Sequence, residues 1–167
     1  MKNKDFDLKN NIDLIKQICE LTDENKDPLR FAISKFVCYF NLFESFLYTT
    51  RIGPWYLFCK SCKIKENVVS KYFNFFYDRY ITNGKINNEF EDLCKHVEKK
   101  YKDILKKNLT NKINKPYAVL SISYYFRNNL FHGHKKISEL DKFIDSFNMI
   151  TDFLCDILKC ANQNTRT

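Results

Sequence analysis

Turn-forming residues are what this chain lacks most. Glycine and proline occur three times each in 167 residues. So little turn chemistry builds few chain reversals, and the sequence therefore predicts long helices joined by short connections. Aromatic residues make up 16% of the chain, and Phe and Tyr also favour strands. Their spacing decides for helices. Val68, Val69, Tyr72, Phe73, Phe76, Tyr77 and Tyr80 recur at three and four residues, the period of one helical face.

The same period runs along most of the chain. Leu8, Ile12, Ile15, Ile18 and Cys19 share one face of a helix predicted over 8–21, and the polar stretch 22–26 breaks it. Asp27-Pro28 reads as an N-cap followed by proline in the first turn. It opens a helix to about Thr49 that is apolar nearly all round and is expected at the centre of the fold. Gly53-Pro54 marks a turn, and 55–65 reads as a short helix or an irregular stretch. A helix from Glu66 to Ile81 ends at Asn83-Gly84, and Asn88 to about Leu109 reads as one further helix. Lys115 before Pro116 marks a break. Pro116 opens the next helix, which runs through Tyr124 and Arg127 to Gly133. Ser138 with Asp141 three residues on resembles a capping box, ahead of a final helix that buries Leu140, Phe143, Phe147, Leu154 and Leu158. The expectation is one all-α domain over residues 1–160, a bundle of five or six helices, with a frayed tail at 161–167.

The net charge of +8 and pI of about 9.0 fit an acidic partner, of which nucleic acid is the commonest. Between Lys95 and Lys115 there are eight lysines and two acidic residues, Glu98 and Asp103. Lys99, Lys102, Lys106 and Lys107 are the candidates for tracking an RNA backbone. The alternative is the solvated side of an amphipathic helix. Cys19, Cys38, Cys94 and Cys155 sit in apolar patterns and read as small buried hydrophobes. Cys59 and Cys62 form a lone CxxC without the second pair that a zinc site wants, so neither a metal nor a cofactor is expected. The first ten residues are too charged for a signal peptide, and no apolar run approaches membrane-spanning length. These features read as a soluble, reduced, cytoplasmic protein with no membrane partner.

One segment concentrates chemistry. Arg127-Asn128-Asn129-Leu130-Phe131-His132-Gly133 puts a permanent cation, an amide and a titratable imidazole within six residues of a chain with five arginines and three histidines. Such groups hold a phosphate and move a proton without a metal. In a continuous helix, residues five apart sit about 140° apart around the axis and about 7.5 Å apart along it. Gly133 eases this, because a helix ending there frees His132. A second unusual feature is Glu44, inside the most apolar helix, where an unpaired carboxylate is costly to bury. Asn41, Glu44, Ser45 and Tyr48 form one polar stripe, expected to face the Arg127 site, with solvent as the alternative.

The RNNLFHG segment resembles the RxxxxH signature of the HEPN superfamily (higher eukaryotes and prokaryotes nucleotide-binding domains), including the polar residue directly after the arginine. The NLFES stretch around Glu44 and the FFYDRY stretch ending at Tyr80 are also similar to stand-alone bacterial HEPN proteins. The resemblance implies a helical bundle that dimerises, with two RxxxxH motifs facing each other in a composite active site. It implies a metal-independent endoribonuclease with Arg127 and His132 as the catalytic pair and Asn128 as the supporting polar residue, in a toxin or phage-defence setting with an antitoxin or regulatory partner. Glu44, Asn41 and His134 are supporting candidates, and Lys135 and Lys136 join the RNA-binding set. HEPN toxins paired with nucleotidyltransferases often carry a tyrosine where this chain has His134, so control by modification of that tyrosine does not carry over.

Two other readings stay open. The chain is a silent HEPN module that binds RNA or nucleotide or scaffolds a partner. Otherwise it is a helical regulator in which Arg127 pairs with Glu44 and His132 caps a helix.

Overall fold

The computed structural model describes residues 27–49, 66–132 and 137–164. The fold is all-α. The helices among the described residues are α1 (Pro28–Thr49), α2 (Glu66–Tyr80), α3 (Asn88–Leu93), α4 (Lys99–Asn111), α5 (Lys115–Phe131) and α6 (Ile144–Asn164). A small hairpin, β1 (Ile81–Thr82) and β2 (Lys85–Ile86), follows α2, and a 3₁₀ segment, Ile137–Phe143, leads into α6. The predicted helix at 8–21, the Gly53-Pro54 turn, the 55–65 stretch with Cys59 and Cys62, and the tail beyond Asn164 lie outside the described residues. Among those described, no helix is long and apolar enough to cross a membrane. The chain divides into two compact units, residues 1–62 with 137–167, and residues 63–136.

In the first unit, α1 begins as its local chemistry dictates. The Asp27 carboxylate accepts the Arg30 N–H at 2.9 Å, the Asp27 carbonyl accepts from Phe31, and Pro28 needs no donor partner at the first helical position. The helix buries Phe36, Phe40, Phe43 and Phe46, and α6 buries Phe147, Ile150, Phe153, Leu154, Ile157 and Leu158. These two helices pack along each other, with the Phe36 and Phe147 ring centres 5.3 Å apart. Each such side chain taken out of water is worth roughly 1.5–3 kcal/mol. Along the polar stripe that the sequence marks on α1, Asn41, Ser45 and Tyr48 are exposed and Glu44 is half-buried. The run after Ser138 is corrected. Ile137–Phe143 is 3₁₀, and the α-helix proper starts at Ile144. In a 3₁₀ helix residues three apart eclipse, which suits both the buried pair Leu140 and Phe143 and the Glu139–Lys142 ion pair.

In the second unit, α2 buries Val69, Tyr72, Phe73, Phe76 and Tyr80. The Tyr80 ring stacks on Phe76 and meets Phe90 edge-on. Asn83-Gly84 does more than stop a helix. Asn83 (φ 52°) and Gly84 (φ 72°) both have positive φ, the requirement of a type I′ turn, and Ile81 pairs with Ile86 across it. Asn87 then links the elements: its side chain donates to the Arg79 carbonyl at 2.7 Å and caps α3 by accepting from Phe90 N–H at 3.2 Å.

The single helix predicted from Asn88 to Leu109 is two helices, α3 and α4, with a turn between. In a continuous helix the Leu93 carbonyl would accept from Val97. Here Val97 N–H goes to the Cys94 carbonyl instead, and the Leu93 carbonyl accepts from Asn129 Nδ2 at 3.0 Å. A side chain 36 residues away has replaced a helical bond.

The enclosed helix of this unit is α5, which packs against α2, α3 and α4. Every residue from Ala118 to Ser123 is buried. Asn114 caps it, accepting from Tyr117 N–H at 3.1 Å, so the break falls just before Lys115 and Pro116 lies in the first turn. Ser121 and Ser123 donate to the Tyr117 and Val119 carbonyls, each at 2.8 Å, which satisfies hydroxyls that the core gives no water.

Candidate functional site

The C-terminal end of α5 carries the chemistry-bearing segment. Regular helix continues through Phe131, and His132 is the C-cap at φ −88°, ψ 6°. The His132 N–H still reaches the Asn128 carbonyl at 2.9 Å, so its backbone stays close to the helical path. Gly133, His134, Lys135 and Lys136 lie outside the described residues.

Helical geometry orders the side chains around that end. Taking Arg127 as zero, Phe131 lies about 40° round the axis, Asn128 about 100°, His132 about 140° and Asn129 about 200°. Arg127 and His132 do not stack on one face. They bound an arc with Asn128 and Phe131 between them. Arg127 Nη1 donates to Asn128 Oδ1 at 3.2 Å, and the guanidinium carbon lies 5.2 Å from the Phe131 ring centre, within cation–π range. Arg127 and Asn128 are half-buried, while Phe131 and His132 are exposed. The arc therefore offers a guanidinium fixed on two sides, an amide beside it, and an imidazole at the surface.

Two neighbours were not singled out by sequence reasoning. Phe131 is 53% exposed, and its ring holds the guanidinium rather than a core. Asn129 is buried and anchors Leu93. The signal for the second was present: two adjacent asparagines on a helix point about 100° apart, and Asn129 shares the side of buried Ile122 and Tyr125.

The other candidates are spread more widely. Asn41 is exposed and Glu44 half-buried on α1, in the first unit, whereas Arg127, Asn128 and His132 belong to the second. On α4, Lys99, Lys106 and Lys107 are exposed. Lys102 is engaged by Glu91, whose carboxylate its Nζ meets. That hydrogen bond raises the Lys102 ammonium above its ordinary value. Asp103 sits between Lys99 and Lys107 at helical spacing. Tyr125 is buried, which pushes its phenol well up, and Tyr124 is half-buried. Burial also raises the Cys94 thiol, to about 12; Cys38 and Cys155 are half-buried rather than buried. Among the described residues, no group of three or more His, Cys, Asp or Glu side chains is placed to hold a metal ion.

The arc at the end of α5 has groups that neutralise an anionic oxygen and exchange a proton. No protein-family model, curated protein or solved structure matches this chain.

Proposed function

We propose that this chain is a metal-independent endoribonuclease. The observation that carries the reading is the guanidinium of Arg127, held by Asn128 and Phe131 on the same helix end that presents His132. RNA brings its own nucleophile, the 2′-OH. An imidazole assists its deprotonation or protonates the departing 5′-oxygen, and Arg127 stabilises the charge that builds on the phosphoryl oxygens. The products are a 2′,3′-cyclic phosphate and a 5′-OH. DNA lacks the 2′-OH and survives. Exposed Lys99, Lys106 and Lys107 supply sequence-independent attraction for the backbone.

The resemblance to HEPN proteins is what points to a homodimer with a composite site and to a toxin or phage-defence role. A second reading, an RNA- or nucleotide-binding module without catalysis, draws on the arc itself, because one helix end holds Arg127 and His132 about 140° apart.

Incubation of the purified chain with single-stranded RNA in EDTA, beside His132→Ala, tests the choice. The proposal expects cleavage by the native protein alone, with cyclic-phosphate ends. Equal cutting of DNA, or activity only after a metal is added, counts against it. Bound but intact RNA supports the second reading.

A further inference from the structure

Phe131 is the one exposed phenylalanine among the described residues. A lone surface aromatic is ordinary; this one is set apart by its contacts. On the same helix Phe126 is 6% exposed, whereas Phe131 is 53% exposed. The Arg127 guanidinium carbon lies over the Phe131 ring, 5.2 Å from its centre, and Phe131 directly precedes His132 in the chain. A cation held over an aromatic ring covers one face. With more than half of the residue still in water, the ring keeps aromatic surface for a second planar group.

The order of the arc says what that group is. Phe131 lies about 40° round the axis from Arg127, on the way to His132 at about 140°. The ring therefore flanks the position where Arg127 neutralises a phosphodiester. The bases nearest that phosphate are each joined to it through a single ribose, so they are the planar groups that the substrate itself carries here. Every base has a π-face, and stacking on an aromatic side chain accepts any of them. In a duplex the bases are already stacked and paired. Unpaired RNA has bases that splay out onto side chains. The exposed lysines of α4 attract either kind of RNA through its phosphates and do not tell them apart.

We propose that Phe131 stacks a nucleobase beside the scissile phosphate, so that the chain takes unpaired RNA, single strands and loops, in preference to duplex; this rests on the ribonuclease reading. The ring is shared, with the guanidinium on one side and the base on the other. Phosphate and base are then gripped through one anchor. Unstacking that nucleotide from its neighbour also frees its ribose from regular helical geometry, in which the 2′-OH is not in line with the departing 5′-oxygen, and so favours the near-attack arrangement. No proton passes through Phe131. It is a positioning residue, and acid–base work stays with the motif histidine.

The test uses the full chain, Phe131→Leu and Phe131→Tyr in EDTA. The parent substrate is a single-stranded RNA with a mapped main cleavage site. Two further RNAs keep every ribose but lack the base of the nucleotide on one or the other side of that site. The native protein should cut one base-free RNA about 5- to 150-fold more slowly than the parent, the worth of one stacked base, and should cut the parent annealed to its complement more slowly still. Phe131→Leu should slow on every RNA as the guanidinium loses its support, and should no longer distinguish parent from base-free RNA. Phe131→Tyr should restore the distinction, with helicity unchanged in both variants. A native protein indifferent to the missing base or to pairing, or a distinction that persists in Phe131→Leu, overturns the inference and leaves the ribonuclease reading standing. An equal loss on every RNA with dissociation into monomers makes the ring a contact between copies and overturns it too. RNA left intact by the native protein removes the reading and this inference together.

Discussion

Between Ala118 and Ser123, α5 keeps its polar side chains to itself: Ser121 and Ser123 return to carbonyls of their own helix, behind a first turn that Asn114 caps. From Arg127 onward, side chains bond to groups other than carbonyls of their own helix. Asn129 reaches Leu93, Arg127 turns back along Asn128 and Phe131, and His132 stands at the surface. One axis thus carries a buried half whose hydrogen bonds serve folding and a terminal half whose groups are aimed at something else. The difference teaches where to look for function in a helix of low amphipathicity: where its side chains stop satisfying its own backbone.

Substitutions can break that contrast. The largest effect is expected in the buried half, where Ile122→Ala should lower unfolding stability by about 2–5 kcal/mol through lost packing and a cavity, read by chemical denaturation. In the terminal half, Arg127→Ala should slow RNA cleavage by about 100-fold or more and cost under about 1 kcal/mol of stability. An unfolding midpoint that falls as far as for Ile122→Ala would make both halves structural and erase the comparison. Asn129→Ala sits between, because it orphans the buried Leu93 carbonyl. A loss of about 1–3 kcal/mol is expected, with faster amide exchange in the turn at 94–97 as the local sign. Asn114→Ala should cost about 1 kcal/mol and leave cleavage unchanged; reduced cleavage would show that the two ends of α5 are coupled.

The smallest effect is one of pH. The Cys94 thiol, ordinarily near 9.0, is held at about 12 by burial. The unfolded chain therefore loses this proton at lower pH than the folded one. The contribution of the buried thiol is intact below the unfolded value and is lost as pH rises toward 12. Replacing Cys94 with Val should flatten the decline of stability with pH in that window; an unchanged slope would assign it to other groups, such as the phenols of Tyr80 and Tyr125, also raised by burial.

What could be read in the sequence was what neighbouring residues decide. Asp27-Pro28 starts a helix through bonds to residues three and four ahead, and the apolar spacing of α2 and α6 reappears as their buried faces. The segment from Arg127 to His132 falls at a helix end, as the glycine after it in the sequence implied. The break at Cys94 was not legible, because Asn129 takes the Leu93 carbonyl from far along the chain. Lys102 belongs with it, since its partner Glu91 sits on a different helix. Asn83-Gly84 is another kind of miss. Its chemistry announces a hairpin, but strands of two residues leave no alternating pattern to support one.

The stacking of Arg127 on Phe131 has a consequence for recognition. A free arginine side chain samples many rotamers and must surrender them when an anion arrives. Against the aromatic face, with Asn128 beside it, much of that disorder has already been removed during folding. In the proposed ribonuclease, selectivity for a planar pair of oxygens would come from the fixed direction of the guanidinium, not from charge alone. A leucine at position 131 would keep an apolar neighbour but restore the wandering, so that phosphate affinity falls while net charge and fold stay the same.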